Sequence, residues 1–178
     1  MLMTAEDLAQ LPVDGHHYEL VRGALVEVTP AGGRQGENAG QIAGHLWVFV
    51  QPRGLGRIYV AETGYVLARN PDIVRAPDVS FVRADRLPPE QEREGFLELA
   101  PDLVVEVVSP TDRMRDINDK VLEYLDAGVR LVWVVEPRRR TVTVWTPDRR
   151  ARILIEPDEL DGGDVLPGFR LPLTEIFL

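Results

Sequence analysis

Residues 103–108 read Leu-Val-Val-Glu-Val-Val, an apolar run with one carboxylate at its centre. Valine favours strands, and a short apolar run closed by Ser109-Pro110 reads as a strand covered on both faces. A strand of that kind needs a packed layer above it and another below. A second such run, VRLVWVVEP, begins at Val129. Between the two lies RMRDINDKVLEYLDAG, where Met114, Ile117, Val121 and Leu125 recur at helical spacing. Thr111 or Asp112 is expected to cap this helix, and Gly128 to stop it. Apolar strands alternating with helices predict an α/β fold: a central mixed sheet flanked by helices, with extra strands near both ends.

The remaining segments fit that frame. Thr4 precedes a short helix that ends by Pro12, and HYELVRGALVEVTP reads as a hairpin turning at Arg22-Gly23. GENAGQIAGHLWVFV carries Ile42, Leu46, Phe49 and Val50 at helical spacing. GRIYVAETGYVLARN reads as a strand pair or one bent strand, and RAPDVSFVRAD as a strand opened by Pro77. RRTVTVWTPD and RARILIEPD add two strands, while DVLPGFRLPLTEIF reads as an irregular closing segment. No repeat or linker divides the 178 residues, so one domain spanning 1–178 is expected.

Composition narrows the chemistry. There are no cysteines and three histidines, so a thiolate metal site is excluded and any metal is expected on oxygen ligands. The start of the chain lacks a basic-then-apolar leader pattern, and with the lack of cysteine this predicts a cytoplasmic protein. The net charge of −9 argues against a protein that coats nucleic acid, because neutralising phosphates needs Lys and Arg. Arg138-Arg139-Arg140 and Arg149-Arg150 are expected at strand ends in solvent, though a local basic groove is compatible with them.

Glu106 then demands a partner. An ionised carboxylate among valines costs several kcal/mol unless it is paired, protonated or bound to a metal. Alternate strand residues share a face, so Asp102, Val104, Glu106 and Val108 point one way. Asp78 opens the preceding strand after Pro77, where its carboxylate can meet Glu106 across neighbouring strands with a divalent cation between them. The plainer alternatives are turn roles for Asp78 and Asp102 and an arginine salt bridge for Glu106. Lys120 is the only lysine beside 19 arginines. Unlike arginine, lysine offers a compact ammonium whose proton can be tuned away. Helical geometry places it beside the buried stripe, on the Ile117 and Tyr124 side. A solvent pair with Asp116, one turn back, is the alternative.

Asp78, Glu106 and Lys120, in the order RAPDVSFV, PDLVVEVVSPTDR, DINDKVLEYLDAGVRLVWVVEP, resemble the Uma-type family of restriction endonucleases, a branch of the PD-(D/E)XK nuclease superfamily. The resemblance runs from YELVRGALVEVTP to the strand after Gly128. It implies a restriction-endonuclease-like core and Mg²⁺ or Mn²⁺ on Asp78 and Glu106. It also implies catalytic roles for Asp78, Glu106 and Lys120, DNA as substrate, and dimers that bring two sites to two strands. The superfamily lysine lies two residues beyond the second acidic residue, where this chain has Val108; Lys120 on the next helix matches the branch. Glu37 and Glu62 are further acidic candidates, His45 reads as packing, and GRQGENAGQ lacks the histidine that relatives often carry there. An active endonuclease and a nuclease-fold module that binds without cutting are the two readings of function.

Overall fold

The computed structural model describes residues 2–12, 15–60 and 63–178. After a short helix α1 (Ala5–Ala9), strands β1 (His17–Val21) and β2 (Ala24–Val28) form the expected hairpin. Arg22 (φ 51°) and Gly23 (φ 76°) are both left-handed, as a two-residue turn between right-twisting strands requires. Helix α2 (Gly33–Val50) follows, then β3 (Gly56–Val60), β4 (Tyr65–Ala68), β5 (Ile73–Arg75), β6 (Val79–Arg83) and β7 (Leu103–Val107). Helix α3 (Met114–Asp126) leads into β8 (Leu131–Glu136), β9 (Thr141–Trp145) and β10 (Ala151–Ile155), and β11 (Glu159–Asp161) pairs with β12 (Arg170–Pro172) near the end.

The main sheet has the order β10-β9-β8-β7-β6-β3, and only β7 and β8 are parallel. That parallel pair needs a crossover, and α3 supplies it. Alternation along β7 sends Leu103, Val105 and Val107 to one face, where they meet Ile42, Leu46 and Val50 of α2. Val104 faces the other way, against Ile117, Val121, Tyr124 and Leu125 of α3. Both faces are therefore covered, which is why this strand reads as an unbroken apolar run. Burying each such side chain contributes roughly 1.5–3 kcal/mol.

A second sheet, in the order β2-β1-β5-β4, packs beside the first. The chain passes between the sheets three times, first through α2 from β2 to β3. GRIYVAETGYVLARN is two strands, β3 in the main sheet and β4 in the second. RAPDVSFVRAD lies at the third passage, where Ala76-Pro77-Asp78 carries the chain from β5 into β6.

Three expectations are corrected by the packing. The closing segment, expected to be irregular, holds the short strand β12 and is core rather than surface: Leu166, Phe169, Leu171, Leu173 and Ile176 are buried, and Phe169 stacks on Trp133 at 5.9 Å. Its glycines and prolines mask the apolar pattern. Met114 is exposed, because the first turn of α3 contributes no buried side chain; Tyr124 belongs to the buried stripe instead. Neither Thr111 nor Asp112 caps α3, whose N-cap is Arg113. The Asp112 carboxylate instead accepts the Ser109 amide at 2.7 Å and closes the turn after β7.

Candidate functional site

The carboxylates gather where the two sheets meet. On β7, Glu106 shares a face with Val104 and points at α3. Lys120 and Tyr124 are four residues apart on that helix, so both reach the same spot. Tyr124 Oη donates to Glu106 Oε1 at 2.6 Å, and Lys120 Nζ lies 3.0 Å from Oε1 and 3.2 Å from Oε2. The partner that Glu106 requires is thus a lysine and a tyrosine, not an arginine. Lys120 does not pair with Asp116; its second contact is Glu19 Oε1 of β1, at 3.1 Å.

Glu19 extends the network into the second sheet. It accepts the Ala76 amide at 2.8 Å and binds Arg75 Nη1 of β5 at 2.8 Å. Arg75 turns its other edge to Glu123 of α3, at 2.6 and 2.8 Å. Asp78 stands at the start of β6, next to Glu106: its Oδ2 accepts the Val107 amide at 2.7 Å, and the Gln35 side chain of α2 hydrogen-bonds it. Four carboxylates (Glu19, Asp78, Glu106, Glu123) therefore face two cations (Arg75, Lys120), and the cluster lacks two positive charges when all are ionised.

The titrations follow from that geometry. Burial, with added repulsion from Asp78 and Glu19, lifts the Glu106 pKa to about 7 despite Lys120. Burial likewise raises Asp78. For Glu19, burial opposes ionisation, but Lys120 and Arg75 outweigh it and hold the carboxyl below its ordinary value. Burial also works against the Lys120 ammonium, yet Glu106 and Glu19 more than compensate and raise its pKa. In this arrangement the two carboxylates favour the ammonium form of Lys120.

A cleft of about 440 Å³ opens onto Asp78, Glu19 and Gln35. Leu8, Leu11, Tyr18, Pro30 and Phe96 are among its walls. The structure thus brings Asp78, Glu106 and Lys120 together. It leaves Glu37 exposed in solvent, and Glu62 lies outside the described residues. His45 is 3.4 Å from Glu175, away from the cluster. Val108 packs against the α3 layer. Asp102 is buried, holding Arg86 at 2.8 Å and the Arg83 amide at 2.9 Å in a structural role. In the arginine runs, Arg139, Arg140, Arg149 and Arg150 each pair with a carboxylate at the surface.

Glu19, Arg75, Glu123, Tyr124 and Gln35 were not singled out in the sequence. Glu19 carried a usable signal, a charged residue inside the apolar strand HYELV.

Among the described residues no trio of His, Cys, Asp or Glu stands ready around a metal. Asp78 and Glu106 nonetheless fit a hard divalent cation, which takes one or two carboxylates plus waters. The cluster's deficit of two charges matches such an ion.

The six-stranded mixed sheet flanked by helices places the chain among the nuclease-like α/β folds. The comparisons agree. The model of the Uma2 family, described as "Putative restriction endonuclease", matches residues 5–174, and the chain belongs to that family. The crystal structure of a "putative nuclease belonging to DUF820" from Anabaena variabilis superposes with a TM-score of 0.87. It is 21% identical, with 98% of this chain and 97% of that one covered, and it shows the same fold. No curated protein matches the chain.

Proposed function

We propose that the chain is a metal-dependent endonuclease hydrolysing DNA phosphodiester bonds, with Mg²⁺ or Mn²⁺ held by Asp78 and Glu106. The observation that carries this reading is the buried cluster built around the chain's one lysine, short of two positive charges when all are ionised, which reaches the cleft through Glu19 and Asp78. A bound cation there would supply Lewis-acid polarisation of the phosphate and a more acidic attacking water. The chain's own groups do the rest. Lys120 Nζ, held between Glu106 and Glu19, would add positive charge behind the metal-binding carboxylates as negative charge develops on the phosphoryl group. Glu19 and Arg75 set the position of that ammonium through the bonds at 3.1 and 2.8 Å. Tyr124 fixes the rotamer of Glu106, and the Val107 amide and Gln35 fix that of Asp78.

One observation favours the reading without cleavage. Lys120 and Tyr124 already satisfy both oxygens of Glu106, so the cluster closes on itself without a metal. Mn²⁺ titration by calorimetry, followed by plasmid and oligonucleotide cleavage, decides between them. Saturable binding with cutting that disappears in Glu106→Gln supports the endonuclease. Nucleic-acid binding without cutting, at any metal concentration, supports the binding module.

A further inference from the structure

The cleft that leads to Asp78 has the wrong chemistry for a paired duplex. A stacked duplex presents sugar and phosphate outward, and proteins that grip it do so with Lys and Arg. Among the described residues lining this cleft there is neither. Arg75 and Lys120, the cations nearest the carboxylates, are engaged in buried ion pairs. What the cleft offers instead is apolar and aromatic surface, from Leu8, Leu11, Tyr18, Pro30 and Phe96, around the polar groups of His16, His17, Glu19, Gln35 and Asp78. Its volume of about 440 Å³ suits a small planar group.

Phe96 is the feature that sets the shape. Its half-buried ring borders this cleft and also a second one, which extends past Tyr59 to Arg93. The two share Leu8, Gly64 and Phe96, so together they form a path that runs from Asp78 over the ring. Gly64 holds the ring in place by leaving room for it: a Cβ at position 64 would come 2.5 Å from Phe96 Cδ1. Tyr18 and Phe96 supply aromatic faces of the kind on which unpaired bases stack, while the basic residues along the path are His16, His17 and, at its far end, Arg93.

We propose that this cleft receives an unpaired nucleobase stacked on Phe96, so that the substrate is single-stranded or unpaired DNA and not intact duplex. The inference rests on the endonuclease reading and names its substrate. Unstacking a base from a duplex costs a few kcal/mol, which an already unpaired strand does not incur.

The test uses a labelled 12-nucleotide strand, the same sequence as a fully paired hairpin, and the strand with an abasic residue at the cleavage position. Each is assayed with Mn²⁺ on wild type, Phe96→Leu and Phe96→Trp. The single strand should be cut with a kcat/KM at least tenfold above the hairpin. Phe96→Leu should raise KM for the single strand about tenfold with little change in kcat, and Phe96→Trp should restore it. The abasic strand should show the same loss on wild type and no further loss on Phe96→Leu, a comparison that needs no new fold. Equal cutting of hairpin and strand, or an abasic strand cut as well as the intact one, overturns the proposal and leaves the endonuclease standing. If no DNA is cut or bound, the endonuclease reading fails and the proposal goes with it.

Discussion

Replacing Lys120 by methionine keeps the apolar stem and deletes the charge between two buried carboxylates. Nζ lies 3.0 Å from Glu106 and 3.1 Å from Glu19, and the three side chains are 15%, 8% and 5% exposed. At 3 Å and an effective dielectric of 20, each attraction is roughly 5 kcal/mol before desolvation is subtracted. Desolvation of the ammonium cancels much of that, and breaking buried pairs costs about 3–5 kcal/mol in practice. Part of the cost is avoidable. Glu106 already has a pKa of about 7, and without the ammonium it should take up a proton more readily still. The metal-free variant should therefore lose about 3–5 kcal/mol at pH 8 but roughly half that at pH 5.5, where a neutral Glu106 needs no counter-charge. Urea unfolding followed by tryptophan fluorescence reads this directly, since Trp133 is fully buried in the core. The slope against urea should be unchanged and the midpoint lowered. A loss under about 1 kcal/mol at pH 8, or the same loss at both pH values, would refute the idea that Lys120 compensates buried charge.

Other expectations follow from the same cluster. Millimolar Mn²⁺ should raise the melting temperature of wild type by a few degrees, roughly 2–4 °C per kcal/mol of binding linkage, and the rise should vanish in Glu106→Gln; differential scanning fluorimetry is sufficient. Lys120→Arg keeps the charge but replaces a compact ammonium by a bulky planar fork, so cleavage of plasmid should fall by orders of magnitude in a quantitative gel assay. Undiminished cutting would remove Lys120 from the chemistry. For pH, the sign comes from the raised Glu106: the neutral acid suits the folded site, so its contribution to metal-free stability is complete below about pH 4.5 and is lost as pH rises through about 7. Metal binding runs the other way, because it needs the carboxylate. Calorimetric Mg²⁺ affinity should climb between about pH 5.5 and 7.5 and then level off. Affinity flat across that range would show that Glu106 is not a ligand.

The central strands and α3 were legible because their patterns are long and their faces unambiguous: LVVEVV, LVWVVE and the Ile117-Val121-Leu125 stripe admit one arrangement. Asp78, Glu106 and Lys120 stood out as chemical oddities: a charge in a valine run, an aspartate at a strand start, a lysine among arginines. Glu19 and Arg75 were hidden because their importance is topological. β5 is three residues long, and nothing local reveals that it returns to pair beside β1 and aims a guanidinium at Glu19. The cap of α3 was misplaced for a similar reason, since Asp112 has two amides within reach and the turn after β7 claimed it. The closing segment escaped because its alternation, Phe169, Leu171 and Leu173, is short and is crowded by Pro167, Gly168 and Pro172.

The linkage of Glu19 to Lys120, Lys120 to Glu106, and Arg75 to both Glu19 and Glu123 has a consequence for descent. The set holds three acids and two cations, so neither cation can drift alone without leaving buried carboxylates unmatched, whereas a single acid can be lost. A lineage that stopped needing the reaction would not shed its lysine first and its acids later. It would replace lysine and acids together by uncharged residues of like size, or keep the lysine. Relatives that lack the lysine should thus lack buried acids as well, while relatives that keep it can lack one acid.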